Sequence, residues 1–197
     1  GTLTAGSIDV DGTTFDLNQG FATTGIVDIG NSGLLTLAGT ASTAGDTVSV
    51  SGAANLGVNI TTTDDLIDLN GTVVIADGTS VTLSTGAGEG NIEIAGTVNG
   101  TATGASETLV LDAGTGNITL TSSVSGAGDA VGDGTGLSTL TLTNAEVVST
   151  AAVNISGALT TSNALTGGFT SSGTLTAGSI DVDGTTFDLN QGFATTG

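Results

Sequence analysis

Apolar residues in this chain come in pairs spaced by two, and the pairs return too quickly for helices to fit between them. The series opens with Ile8/Val10, Phe15/Leu17, Val27/Ile29, Leu35/Leu37, Val48/Val50, Val58/Ile60 and Ile67/Leu69. It continues through Val73/Ile75, Val81/Leu83, Ile92/Ile94, Leu109/Leu111, Ile118/Leu120, Leu140/Leu142 and Val153/Ile155. A spacing of two puts both side chains on one face of an extended strand. The residues between and beside them are mostly Thr, Ser, Asp, Asn or Glu, which suit the opposite, wetter face. Strands therefore recur at intervals of roughly 7 to 13 residues, too short for intervening helices. Between them stand the turn formers Asp11-Gly12, Asp77-Gly78, Asp133-Gly134, Asn70-Gly71 and Asn99-Gly100, steps that tolerate positive φ at low steric cost. The expected class is all-β.

The alphabet narrows the architecture. Lys, Arg, His, Cys, Pro, Met, Trp and Tyr are absent, 37% of residues are hydrophobic and only 10% are charged. A disordered chain has the reverse balance, so a packed core is expected. Gly and the β-branched residues are also weak helix formers. A sandwich, a hairpin meander and a solenoid remain. A sandwich of this length usually carries Trp or Tyr in its core and Pro at its edges. Here the aromatics are five Phe, at 15, 21, 169, 187 and 193. A solenoid needs only a narrow strip of Val, Ile and Leu that continues from coil to coil. The expectation is a right-handed parallel β-solenoid (β-helix), parallel crossovers being overwhelmingly right-handed; the alternative is a string of tandem Ig-like β-sandwiches.

Residues 1–25, GTLTAGSIDVDGTTFDLNQGFATTG, are identical letter for letter to residues 173–197. Residues 1–172 are therefore read as one tandem repeat unit and 173–197 as the start of the next, in an array expected to continue. At about 20–24 residues per coil, one unit makes roughly seven to nine coils and rises roughly 35–43 Å.

All 19 charged residues are acidic. Without a single cation the chain cannot neutralise phosphates, which argues against nucleic-acid binding and against anionic lipid. No run of 18 apolar residues is present, so no membrane insertion is expected in this segment. The absence of Cys leaves the redox compartment undetermined. Cations from solution are the expected counter-charges, in weak and non-specific association, Ca²⁺ included.

The stretch ETLVLDAGTGNITLTSSVSGAG (107–128) and the segment SGTLTAGSIDVDG (172–184) resemble the β-helical exoproteins of the filamentous haemagglutinin type. They are similar also to the repeats of very large bacterial surface proteins. That resemblance implies a secreted, rod-like stalk or adhesin at the cell surface. The chain departs from the common pattern in lacking any basic residue and in repeating perfectly. The function expected is a structural repeat of an extracellular fibre or stalk without catalytic activity. Its partners would be neighbouring repeats of the same protein, with lateral self-association between chains. The alternatives are an adhesin repeat that binds a glycan or surface, a carbohydrate-active β-helix enzyme and an ice-binding protein.

Candidate sites are few, because acid–base chemistry here has only Asp and Glu to draw on. Asp64-Asp65 with Asp68 is the densest acidic cluster; the preferred reading is a turn followed by a strand whose Asp68 faces solvent. Asp129 and Asp133 in GAGDAVGDGTG (126–136) offer oxygen ligands for Ca²⁺, but the segment lacks the tandem GGxGxD of calcium β-rolls and reads as an insertion loop. Thr139-Leu140-Thr141-Leu142-Thr143 has the form of an ice-binding rank, echoed only at Thr2-Leu3-Thr4; the plainer account is outward Thr on a strand. Asn-x-Ser/Thr sequons stand at Asn59, Asn70, Asn99, Asn117 and Asn154, a number expected by accident in so Thr-rich a chain. Some Asn are expected in ladders at coil corners. Phe15 is placed in the core by its alternation with Leu17; Phe21 and Phe169 are left open between core and surface. No catalytic, cofactor or metal residue is assigned.

Overall fold

Most of the apolar pairs become the inward side of a short parallel strand; Val58 and Ile155 fall just outside the strands Ile60–Thr61 and Val153–Asn154 that hold their partners. In Val48–Val50 and Ile67–Leu69 the outer two residues are buried and the middle one faces out. Such a strand buries too little to stand alone, so it is stabilised by stacking on the equivalent strand one coil away. The computed structural model describes residues 1–101, 107–124, 137–163 and 165–195. Among these, every strand pairing is parallel. The chain is a β-solenoid of about eight turns, and the sandwich alternative, which needs antiparallel pairing, is set aside.

Each coil contributes one strand to each of three faces. The first face runs from Leu3–Ala5 through Phe21–Thr23 to Ser179–Asp181, and the second from Ile8–Gly12 through Val27–Asn31 to Gly184–Leu189; each is nine strands deep among the described residues. The third runs from Phe15–Leu17 to Val98–Gly100, passes through single bridges at Val124, and resumes from Val153–Asn154 to Phe193–Thr195. Inside the second face, Ile8, Val27, Val48, Ile67, Ile92, Ile118, Val148, Phe169 and Phe187 stack in one file. Phe15, Leu35, Ala54, Val73, Val98, Val124, Val153, Leu175 and Phe193 form the file of the third. A fully buried aliphatic side chain contributes roughly 1.5–3 kcal/mol. Backbone bonds run along the axis beside these files, as from Val48 N–H to the Leu66 carbonyl and from Ile67 N–H to the Asn91 carbonyl.

Coil length varies more than expected. The distance from a residue to its stacked partner is 18 residues from Leu3 to Phe21 but 31 from Leu109 to Leu140. The added residues fall between the described strands, where chain length is cheap. Asp77-Gly78 is a turn, with Gly78 at φ 65°. Asp11-Gly12 and Asn99-Gly100 instead end the strands Ile8–Gly12 and Val98–Gly100; ladder pairing there overrides the local turn tendency. Asp133-Gly134 lies outside the described residues.

The corner between the second and third faces depends on glycine for close approach rather than for φ. Gly52, Gly71 and Gly96 stack there. A Cβ on Gly71 would come within 2.3 Å of the Gly52 carbonyl, and one on Gly96 within 2.2 Å of the Gly71 carbonyl. Backbone cannot give way as a side-chain tip can. Gly96→Ala is expected to lower the unfolding free energy by about 1–3 kcal/mol, as overpacking does. Urea titration reads this directly, and an unchanged midpoint would mean that the corner opens freely.

Candidate functional site

Among the described residues every acidic side chain but the buried Glu107 is at least partly exposed, away from the apolar files. Where an inward pair brackets an acid, the acid must point outward, and the second face aligns several such acids. Asp9 pairs with Asp28, Asp28 with Ser49, Ser49 with Asp68, and Asp68 with Glu93; the row then becomes Thr119, Ser149 and Thr170 before Asp188. Stacked neighbours in a sheet are about 4.8 Å apart. Like charges at that spacing repel, and the chain has no Lys, Arg or His to offset them. The sequence expectations do not include this rank, although its signal is there: Ile8-Asp9-Val10, Val27-Asp28-Ile29, Ile67-Asp68-Leu69 and Ile92-Glu93-Ile94 each carry an acid at the centre of a pair.

The Asp64, Asp65 and Asp68 cluster is divided by the fold. Asp64 occupies a corner with φ 62°, the one non-glycine residue at positive φ among those described, a conformation that Asp tolerates better than most. Its N–H donates to the Thr85 carbonyl at 2.6 Å, and its Oδ1 accepts from Gly88 N–H at 2.6 Å. Asp64 thus ties one coil to the next. Asp65 offers its backbone carbonyl to Thr62 Oγ1 at 2.5 Å. Asp68 stands on the outward side of its strand and accepts from Asn70 Nδ2 at 2.9 Å. Its stacked acidic neighbour is Glu93 rather than Asp64 or Asp65. Asp129 and Asp133 lie outside the described residues. Among the described residues, no three acidic side chains converge as ligands for one metal ion.

A polar groove opens at the corner between the first and second faces, lined by Glu89, Asn91, Thr115, Gly116, Asn117, Glu146 and Thr166. Two of its Asn form a corner ladder: Asn91 Oδ1 accepts from Asn117 N–H at 2.9 Å, and Asn117 Oδ1 accepts from Val147 N–H at 3.1 Å. Asn31 does the same work at the next corner from a buried position. Its Nδ2 donates to the Gly33 and Ala53 carbonyls, and its Oδ1 accepts from Gly52 N–H. The sequon Asn117 is therefore engaged in the backbone, as is Asn59, whose Oδ1 accepts from Thr82 N–H at 2.8 Å. Asn70 is exposed, while Asn99 and Asn154 sit half-buried on strands of the third face.

The Thr rank is local. Thr141 lies beside Thr160 on one side and Val110 on the other, and Asp112 pairs with Asn144 across a bulge that sets Thr143 out of register. Successive coils thus do not repeat Thr-x-Thr. Phe21 and Phe169 are fully buried, and Phe15 is half-buried against the core. No protein-family model, curated protein or solved structure matches the chain.

Proposed function

We propose that this chain is a structural repeat of an extracellular or cell-surface fibre shaft, without catalytic activity. The observation that carries the reading is the unbroken apolar file from Ile8 to Phe187, which stacks coil on coil for the whole described length. A fold stabilised by nearest-neighbour coils can be lengthened by copying without new design, and an exact repeat suits that use. The likeness of residues 107–128 and 172–184 to filamentous haemagglutinin-type exoproteins accords with it. An adhesin or a polysaccharide-cleaving enzyme of this fold would use the outer surface. The corner groove, the concavity such a ligand could use, is lined by Glu, Asn, Thr and Gly. Electron microscopy of chains of several tandem units tests the proposal: thin rods support it, and compact particles overturn it. Antibody labelling of intact cells tests the location, and incubation with polysaccharides tests the absence of catalysis.

The acidic outer surface is proposed to hold solution cations, Ca²⁺ among them, as a diffuse counter-charge. Raising ionic strength from about 10 mM to about 1 M shortens the screening length from about 30 Å to about 3 Å. Thermal unfolding should then shift upward by a few degrees, the order of magnitude that about 1 kcal/mol produces in a domain of this size. Asp28→Asn, which removes one stacked like charge, should flatten the dependence. A melting temperature indifferent to salt would dispose of this account.

A further inference from the structure

The duplicated segment occupies two different settings in one molecule, and the difference shows how copies of the unit join. In the first copy, Leu3–Ala5 lies on the first face, Ile8–Gly12 on the second, Phe15–Leu17 on the third and Phe21–Thr23 on the first again. In the second copy, Leu175–Ala177 lies on the third face, Ser179–Asp181 on the first, Gly184–Leu189 on the second and Phe193–Thr195 on the third. The internal register is the same in both: Leu3 pairs with Phe21 and Ala5 with Thr23, as Leu175 pairs with Phe193 and Ala177 with Thr195. The coil is thus preserved and displaced by one face. From Leu3 to Leu175 the chain completes seven turns and two faces of an eighth.

Identical residues also differ in exposure according to what covers them. Leu3 is 42% exposed at the open end, whereas Leu175, seated on Val153, is 0% exposed. Phe193 is 65% exposed at the other end, whereas Phe21, next to the coil that carries Ser42, is 0% exposed. What buries each residue in its covered copy is a neighbouring coil of this same repeat. The apolar patch of Ile180, Val182, Phe187 and Phe193 at the second end has the same explanation.

We propose that each open end is a docking surface for a second copy of the 172-residue unit, joined one face out of phase. Leu3 then sits on the preceding unit's counterpart of Val153, and Phe193 lies under the following unit's counterpart of the strand at Ser42. At about 4.8 Å per layer, each unit rises about 37 Å and the array returns to the same face only after three units, about 110 Å. The acidic rank consequently moves to another side in each unit. That spreads carboxylates around the rod instead of lining them along one edge, and a partner approaching from one side meets the same group every third unit. This joint follows from the strand count and does not depend on the shaft reading.

The phase is decided where Thr139–Asn144 stacks on Thr108–Asp112 rather than on Ile118–Leu120. Val110 and Thr141 are outward neighbours there, at a separation of about 4.8 Å that a disulfide can span. The chain has no Cys of its own. Oxidised V110C/T141C should form an internal cross-link and T119C/T141C should not. The reverse result would mean eight whole turns per unit and would overturn the proposal. In a chain of three tandem units, heavy-atom clusters on Asp28→Cys of each unit should appear on three sides of the rod at steps of about 37 Å. Clusters in a single line would refute the joint while leaving the shaft intact; separate globules would refute both.

Discussion

Ile92→Asp is expected to unfold the middle of the rod, lowering stability by about 5 kcal/mol or more. Ile92 is 0% exposed and stacks between Ile67 and Ile118 in the second-face file. Its loss removes the apolar contacts on both sides and buries a carboxylate in their place. A buried carboxylate needs a cationic partner or must take up a proton, and this chain has no Lys, Arg or His to offer. Domains of ordinary stability hold about 5–15 kcal/mol in total, so the variant would lose much of its strand signal in circular dichroism at 25 °C. Glu93→Gln, one residue along and pointing outward, should change stability by no more than about 0.5 kcal/mol. If the two variants behaved alike, the inward assignment of the file would be wrong.

Phe169→Ala is expected to cost about 3–5 kcal/mol. The ring is 0% exposed, follows Val148 in the file, and stacks on Phe187 with centroids 5.3 Å apart and planes 26° apart. Phe187→Ala should cost clearly less, because that ring is 48% exposed at the open end. Urea unfolding of the two variants gives the order, and a larger loss for Phe187 would contradict the packing described. Extending the chain by a further unit should raise the cost at Phe187, since the added coil would cover it.

The outward positions were harder to interpret from sequence than the core. Asp64, Asp65 and Asp68 are adjacent in the chain, yet the fold turns Asp64 into a corner tie and pairs Asp68 with Glu93, 25 residues away. Asp11-Gly12 and Asn99-Gly100 have the local form of turns, but ladder pairing with the neighbouring coil, Gly30-Asn31 and Val74-Ile75 respectively, holds them extended. Glu107 is fully buried and accepts from Thr101 Oγ1, and nothing in its neighbours within the sequence marks it. Phe21 and Phe169 carry no alternating partner strong enough to place them; the coils above and below do so.

Side-chain alternation is a property of the strand itself, so the sequence alone determined that the chain is all-β and which face of each apolar pair turns inward; that the strands stack in parallel rather than fold back was settled by the pairing. Its single-sign charge likewise determined that no ion pair between side chains could form. Which strand stacks on which depends on the number of residues spent at each corner, a quantity that ranges from coil to coil and leaves no local mark. Only the tertiary structure therefore decided the line of acids along the second face, the glycine corner and the shift of one face between identical segments. Each of these is a relation between residues 18 or more positions apart, brought together by the path of the coil.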